Sequence, residues 1–527
     1  MEKIAKNSLF VLCLLCFACQ TKVKVRSISK INPSNVREQH RSQFHFTPQT
    51  GWMNDPNGMV YFKNEYHLFY QHYPDSTVWG PMHWGHAVSK DLMHWEHLPI
   101  ALYPDSLGYI FSGSAVVDAN NTSGFGKNGE IPLVAIFTYH DMAIEKAGKI
   151  DIESQGIAYS LDKGRTWTKY TNNPVIKNPN IRDFRDPKVS WHAATKQWIM
   201  TLAVQDHVEF YASKDLKNWQ KASEFGKTEG THGGVWECPD LFPLKVDGGA
   251  TEKWVLIVNI NPGAPNGGSG GQYFVGTFDG KTFKNDNKTT DILWIDYGKD
   301  NYATVTWSDA PDNRRVSIGW MSNWQYAQKV PTEAWRSATT LPRELSLKTT
   351  QQGVRLFQKP VKEVEILRKE IPTQSGLTGG KQDISAQNIS DKLTLEPISA
   401  GNEMSLTFDL SKTTAQDLGV VLSNSKGEKV LIGYEKSTNR FYIDRTEAGK
   451  GGFDKGFAGR HYAPRTATDT ILKMNLHVDV ASVELFADDG ATVMTDIFFP
   501  NEDFNQAAIF SKNGTTQVVK GEIWRLK

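Results

Sequence analysis

The sequence predicts an all-β chain in two parts, a five-bladed β-propeller followed by a C-terminal β-sandwich. Three observations predict it. Apolar runs are short and lie between clusters of Gly, Pro, Asn and Asp. No long stretch holds a 3.6-residue period, and one turn motif recurs along the first two thirds of the chain. Met59–Tyr61, Leu133–Thr138, Trp198–Val204 and Trp254–Ile260 read as strands, and 43 Gly and 23 Pro in 527 residues supply the turns between them.

In chain order, the first segment is an address rather than a fold element. Lys3 and Lys6 precede an apolar run from Leu9 to Ala18 that is too short to span a bilayer, which is the layout of a secretory signal. Ala18-Cys19 resembles the cleavage site of bacterial lipoproteins, so residues 1–19 read as a lipoprotein signal peptide with lipidation at Cys19. Residues 20–43 then form a tether. The basic stretch after Cys19 favours the periplasmic side, so the expectation is an exported periplasmic or outer-membrane lipoprotein of a Gram-negative bacterium.

Residues 44–345 read as the propeller. Ser89-Lys90-Asp91-Leu92-Met93-His94-Trp95 recurs as Ser160 to Trp167, as Ser213 to Trp219 and, more weakly, as Thr277 to Phe283. Each copy is a strand end, an Asp turn and an aromatic that opens the return strand. The turn aspartates Asp91, Asp162, Asp215 and Asp279 are 71, 53 and 64 residues apart, spacings that suit propeller blades with long loops. Four copies, with room up to about residue 340, predict five blades. Residues 346–390 read as a linker in which the charged stretch Lys359–Lys369 forms a short helix. Alternation returns near Leu393, in Ser405–Leu410, Val483–Ala487 and Thr495–Phe499, so 391–527 reads as the β-sandwich.

Composition excludes several functions. Lys plus Arg is 59 and Asp plus Glu is 58, a balance that gives no basic surface for nucleic acid or anionic lipid. Membrane contact is expected only through a lipid anchor at Cys19. Three of the four cysteines lie in the first 19 residues, which excludes a disulfide framework; Cys238 reads as a small buried hydrophobe. The 16 Trp are core residues or sugar-stacking faces, and their number alone does not choose.

Three carboxylates sit beside prolines. They are Asp55 in Trp52-Met53-Asn54-Asp55-Pro56-Asn57-Gly58, Asp186 in Arg185-Asp186-Pro187, and Glu237 in Trp236-Glu237-Cys238-Pro239. Each alone is an ordinary turn or loop acid. Together they precede or fall in different hairpin repeats, and equivalent loops of a propeller converge on one end of its axis. Three acids there would repel unless one were ionised and another protonated, the division that glycoside hydrolysis needs. Arg185 is expected to keep Asp186 ionised, and apolar Trp236 and Cys238 to raise the pKa of Glu237.

These segments resemble glycoside hydrolase family 32, the invertases, inulinases and levanases. The resemblance rests on Trp52–Gly58, Trp79–His86, Phe111–Ala115, Arg185–Pro187, Glu237–Pro239 and Gly319–Trp324, and spans about Phe44 to Trp524. It implies a five-bladed propeller with a β-sandwich and a retaining mechanism. Asp55 would be the nucleophile, Glu237 the acid/base and Asp186 the transition-state stabiliser, oriented by Arg185. Asn54, Gln71, Trp79, Phe111 and Ser112 would line the fructosyl pocket, with Trp320 and Trp324 as further walls. The family needs no metal and no cofactor, and His83 and His86 read as structural. The texture of Phe111–Asp118 and Gly267–Phe274 is that of exo-acting levanases, so the expected substrates are fructans (levan, inulin), fructo-oligosaccharides and sucrose. Endo-levanase is the first alternative. A non-catalytic fructan-binding propeller is the alternative of another class, disfavoured because all three acids are present.

Overall fold

The computed structural model describes residues 38–369, 381–395, 397–398 and 401–527. The signal segment, Cys19 and the tether up to residue 37 lie outside the described residues. Residues 51–360 form five antiparallel sheets, each built on a four-strand meander. The innermost strand of each is Gly51–Phe62, Tyr109–Val117, Phe184–His192, Val235–Lys245 and Tyr302–Thr306. These five pack one against the next, and the last returns to the first, so the sheets form a closed ring of blades. Two short strands close it. Trp335–Arg336 pairs in parallel with Gly51–Trp52 of the first sheet, and Ala338–Thr339 pairs with Trp320–Met321 of the fifth. Ser337, at φ 76, turns the chain between them.

The recurring turns are the outer hairpins of the blades. Asp91 and Asp215 each accept the N–H groups two and three residues on, from Met93 and His94 and from Lys217 and Asn218. Asp162 accepts from Thr166 N–H, and Asp279 from Lys281 and Thr282. These carboxylates take up backbone donors that a tight turn would otherwise leave unpaired. Trp167 and Trp219 both cross back to a carbonyl three residues earlier.

Among its described residues, the stretch expected to be a linker is mostly sheet. Arg343–Thr350 and Gly353–Pro360 form the outer hairpin of the fifth sheet, so the propeller runs on to Pro360. Lys381–Ile384 and Gln387–Ile389 already pair with Thr516–Leu526 of the sandwich. Their polar, half-exposed composition is that of edge strands, which reads as linker in a sequence. The expected helix is a 3₁₀ segment, Lys362–Leu367, not an α-helix.

The sandwich places two sheets face to face over one core that includes Leu406, Phe408, Val420, Ile432, Leu476 and Ile509. The strand Ile471–Asp479 shows the period: Leu472, Met474 and Leu476 are buried while Lys473 is exposed. The sandwich docks on the propeller through buried charge. Arg343 donates to Glu484 (2.5 Å) and Asp296 (2.9 Å), and Arg445 to Asp300 (2.5 Å). His45 lies between Asp479 and Glu484, 2.8 Å from each.

Candidate active site

All five inner strands are bulged at one level. Opposite Gln71 stand Asn54 and Asp55, and opposite Thr138 stand Phe111 and Ser112. Asp186 and Pro187 oppose Leu202, Cys238 and Pro239 oppose Val258, and Ala303 and Thr304 oppose Gly319. Pro56, Pro187 and Pro239, which have no N–H for the ladder, lie at three of these bulges, and each bulge re-aims the side chains beside it. Asp186, Cys238 and Ala303 take positive φ values of 62, 45 and 52. The ring of bulges thus turns side chains from successive blades onto one cavity of about 350 Å³.

The cavity is lined by Asn54, Asp55, Gln71, Trp79, Phe111, Ser112, Arg185, Asp186 and Glu237, together with Trp324 and the segment from His140 to Glu153. Asp55 is held from two sides: Ser112 Oγ donates to its Oδ2 at 2.7 Å, and Asn54 Nδ2 donates to its Oδ1 at 2.9 Å. Trp52 Nε1 fixes the Asn54 amide by donating to its oxygen at 2.7 Å. Gln71 is buried, and its Nε2 has no hydrogen-bond partner within the protein. An unmade buried donor costs about 1–3 kcal/mol, so this one is suited to a substrate hydroxyl. Trp79 meets Phe111 edge to face, and Phe111 stacks on His140 at 4.3 Å.

Asp186 is buried; its N–H donates to Thr138 Oγ1 and its Oδ2 accepts from Cys238 N–H, both at 3.0 Å. Burial, with the charges of Glu237 and Asp55, pushes its pKa up to about 8 against the opposing pull of Arg185. Glu237 is likewise raised by burial and by Asp55, while Arg185 and the Tyr302 hydroxyl oppose the shift. Tyr302 donates to Glu237 Oε2. Cys238 is buried as expected, but it is more than a filler. Its Sγ lies 3.5 Å from Asp55 and 3.6 Å from Asp186, and burial and the surrounding acids keep the thiol protonated and able to donate.

Three expectations need correction. Arg185 does not keep Asp186 ionised: it pulls that pKa down without hydrogen-bonding the carboxyl, but burial with the charges of Glu237 and Asp55 outweighs it, and its guanidinium is engaged by Glu237 (2.8 Å), Asp183 (2.7 Å) and Glu153 (3.1 Å). Trp236 is not what raises Glu237, since it is enclosed in the fourth blade against His232 and Phe274. Trp320 is not a wall of the cavity. It is fully buried behind Trp324, 4.9 Å away, and the half-buried Trp324 supplies the indole that lines the cavity, backed also by Trp52 at 5.8 Å. His83 rests on the Pro81 carbonyl, and His86 lies against His67 and Phe69, away from the cavity. Sequence reasoning missed Glu153, His140 and Tyr302, which sit in strands with no adjacent proline or motif.

A propeller whose axial cavity brings Asp55, Asp186 and Glu237 together, the last two with raised pKa values, is the architecture of a glycosidase. The chain belongs to glycosyl hydrolases family 32: the N-terminal domain model of that family matches residues 45–360 and the C-terminal model residues 370–525. It is 49% identical over 505 residues to a levanase of Bacillus subtilis, covering 95% of this chain and 72% of that protein. It is 40% identical over 521 residues to an extracellular exo-inulinase of Aspergillus awamori, covering 93% and 95%. The crystal structure of the exo-inulinase from that organism superposes with a TM-score of 0.86 at 38% identity, over 94% of this chain and 99% of that one.

Proposed function

We propose that the chain is an exo-acting fructan β-fructosidase that releases terminal fructose from levan, inulin and sucrose with retention of configuration. The observation that carries this is the convergence of Asp55, Asp186 and Glu237 with the unpaired Gln71 amide in one cavity of about 350 Å³. That volume falls within the usual range of ligand pockets, about 300–1,000 Å³.

In this reading Asp55, held by Ser112 and Asn54, attacks the anomeric C2 of the terminal fructosyl unit. Glu237, kept protonated by burial and by the Asp55 charge, gives its proton to the leaving oxygen. It then takes a proton from the water that hydrolyses the fructosyl–Asp55 ester. Asp186 accepts hydroxyls of the ring as positive charge develops, with Cys238 N–H fixing its carboxylate. Chromatography of early products from levan and inulin tests the proposal. Fructose alone from the first minutes supports it; an oligosaccharide ladder makes the enzyme endo-acting, and no product from either polymer or from sucrose makes it a binding protein. We also propose that it acts outside the cytoplasm, anchored by lipid at Cys19.

A further inference from the structure

Glu153 is a fully buried carboxylate in the cavity lining that the mechanism above leaves unused. It opens the strand Glu153–Ser160 of the second blade. Its Oε2 accepts from Phe184 N–H at 2.6 Å, and its Oε1 accepts from Arg185 Nη1 and lies 3.1 Å from His140 Nδ1. The other edge of the same guanidinium, Nη2 and Nε, donates to Glu237 Oε1 at 2.8 and 3.2 Å. Asp183 Oδ1 takes Nη1 as well, at 2.7 Å. One positive charge therefore serves three carboxylates, and each weakens its hold on the others.

We propose that Glu153 is a positioning residue for Glu237: by sharing Arg185 it keeps the guanidinium from fully stabilising the Glu237 carboxylate, and so keeps Glu237 protonated to higher pH. The proposal rests on the reading of Glu237 as acid/base. The other groups acting on Glu237 are Asp55, Asp186 and the Tyr302 hydroxyl. Glu153 itself faces His140, whose Nε2 is 3.2 Å from Glu145 on the helix Met142–Lys146. Burial opposes the ionisation of Glu153, but Arg185, His140 and the Phe184 N–H outweigh it and leave the carboxylate charged. The charge is thus present across the working range, and its removal is a clean perturbation.

The test is the pH dependence of kcat/KM on sucrose for the wild type, Glu153→Gln, Glu153→Asp and Asp183→Asn, with melting temperatures alongside. With Glu153 neutral, Arg185 pulls on Glu237 unopposed, and the alkaline limb moves down by about one pH unit. Glu153→Asp keeps the charge and returns the limb towards the wild-type position. Asp183→Asn, at a positive φ that asparagine adopts readily, moves the limb the same way by a smaller amount. Folded Glu153→Gln and Asp183→Asn enzymes that keep the wild-type limb and lose only rate or stability overturn the proposal. If Glu153→Gln does not fold, the limb of Asp183→Asn decides in the same way. Glu237→Gln is the control for the underlying reading: if it keeps both turnover and the alkaline limb, the acid/base assignment itself is wrong.

Discussion

His45 joins the start of the propeller to the sandwich, and its charge state sets how firmly they are joined. Burial lowers the affinity of its ring for a proton, but Asp479 and Glu484, 2.8 Å away on either side, outweigh this and raise its pKa from 6.5 to about 9. The group binds a proton more tightly folded than unfolded. Its stabilisation is therefore complete below pH 6.5 and is lost as pH rises through about 9. A shift of about 2.5 units corresponds to about 3 kcal/mol. Unfolding entropy is about 2.1 cal/mol/K per residue, or about 1 kcal/mol/K for a unit the size of residues 40–527. The expected effect is thus a change of about 3 °C in melting temperature. The assay is thermal denaturation of wild type and His45→Gln from pH 6 to pH 10. The wild type should melt about 3 °C above the variant at pH 6, and the gap should close above pH 9. A gap that is the same at every pH would mean that His45 acts by packing alone and would refute the argument.

Other perturbations have equally definite outcomes. Gln71→Ala removes the unpaired donor and should lower kcat/KM on sucrose by about tenfold while the melting temperature holds or rises. Trp324→Ala should raise KM, whereas Trp320→Ala removes a fully buried indole and should cost about 3–5 kcal/mol in urea denaturation. Asp186→Asn should abolish turnover yet raise the melting temperature at pH 8. With its pKa pushed up to about 8 in the fold, the native carboxyl holds a proton that the unfolded chain releases, which costs stability increasingly from pH 4 to 8, so the gain should vanish near pH 4. Cys19→Ala should release the protein from the membrane fraction and abolish incorporation of labelled palmitate.

Much of this was legible in the sequence, for physical reasons. The Asp turns repeat because each blade needs the same tight connection, so their spacing reports the sheets. The acids stand out because proline follows each so closely, and those prolines lie at the bulges of the three inner strands that carry the acids. What stayed hidden depends on which strand lies beside which. Tyr302 reaches Glu237, and Glu153 reaches Arg185, from other blades, and nothing around them in the chain marks them. Arg185 misleads because it adjoins Asp186 in sequence while its guanidinium is taken up by Glu237, Asp183 and Glu153. Trp320 and Trp324 lie four residues apart, and only the fully buried strand Val316–Met321 separates the core indole from the one on the cavity. The outer hairpin of the fifth blade is hard to see in the sequence because its strands, Arg343–Thr350 and Gly353–Pro360, are rich in Lys, Arg, Thr and Gln and run into a charged stretch.

The central claim is that Asp55 attacks the fructosyl carbon and carries it as an ester. The most direct measurement is mass spectrometry of peptides from enzyme acid-quenched during turnover of an activated fructoside, in the wild type and in Glu237→Ala, where deglycosylation is slowed. The account predicts one fructosyl unit on the peptide that contains Asp55, accumulating in the variant. A fructosyl unit on another residue, or sustained turnover by Asp55→Asn with no adduct anywhere, would contradict it.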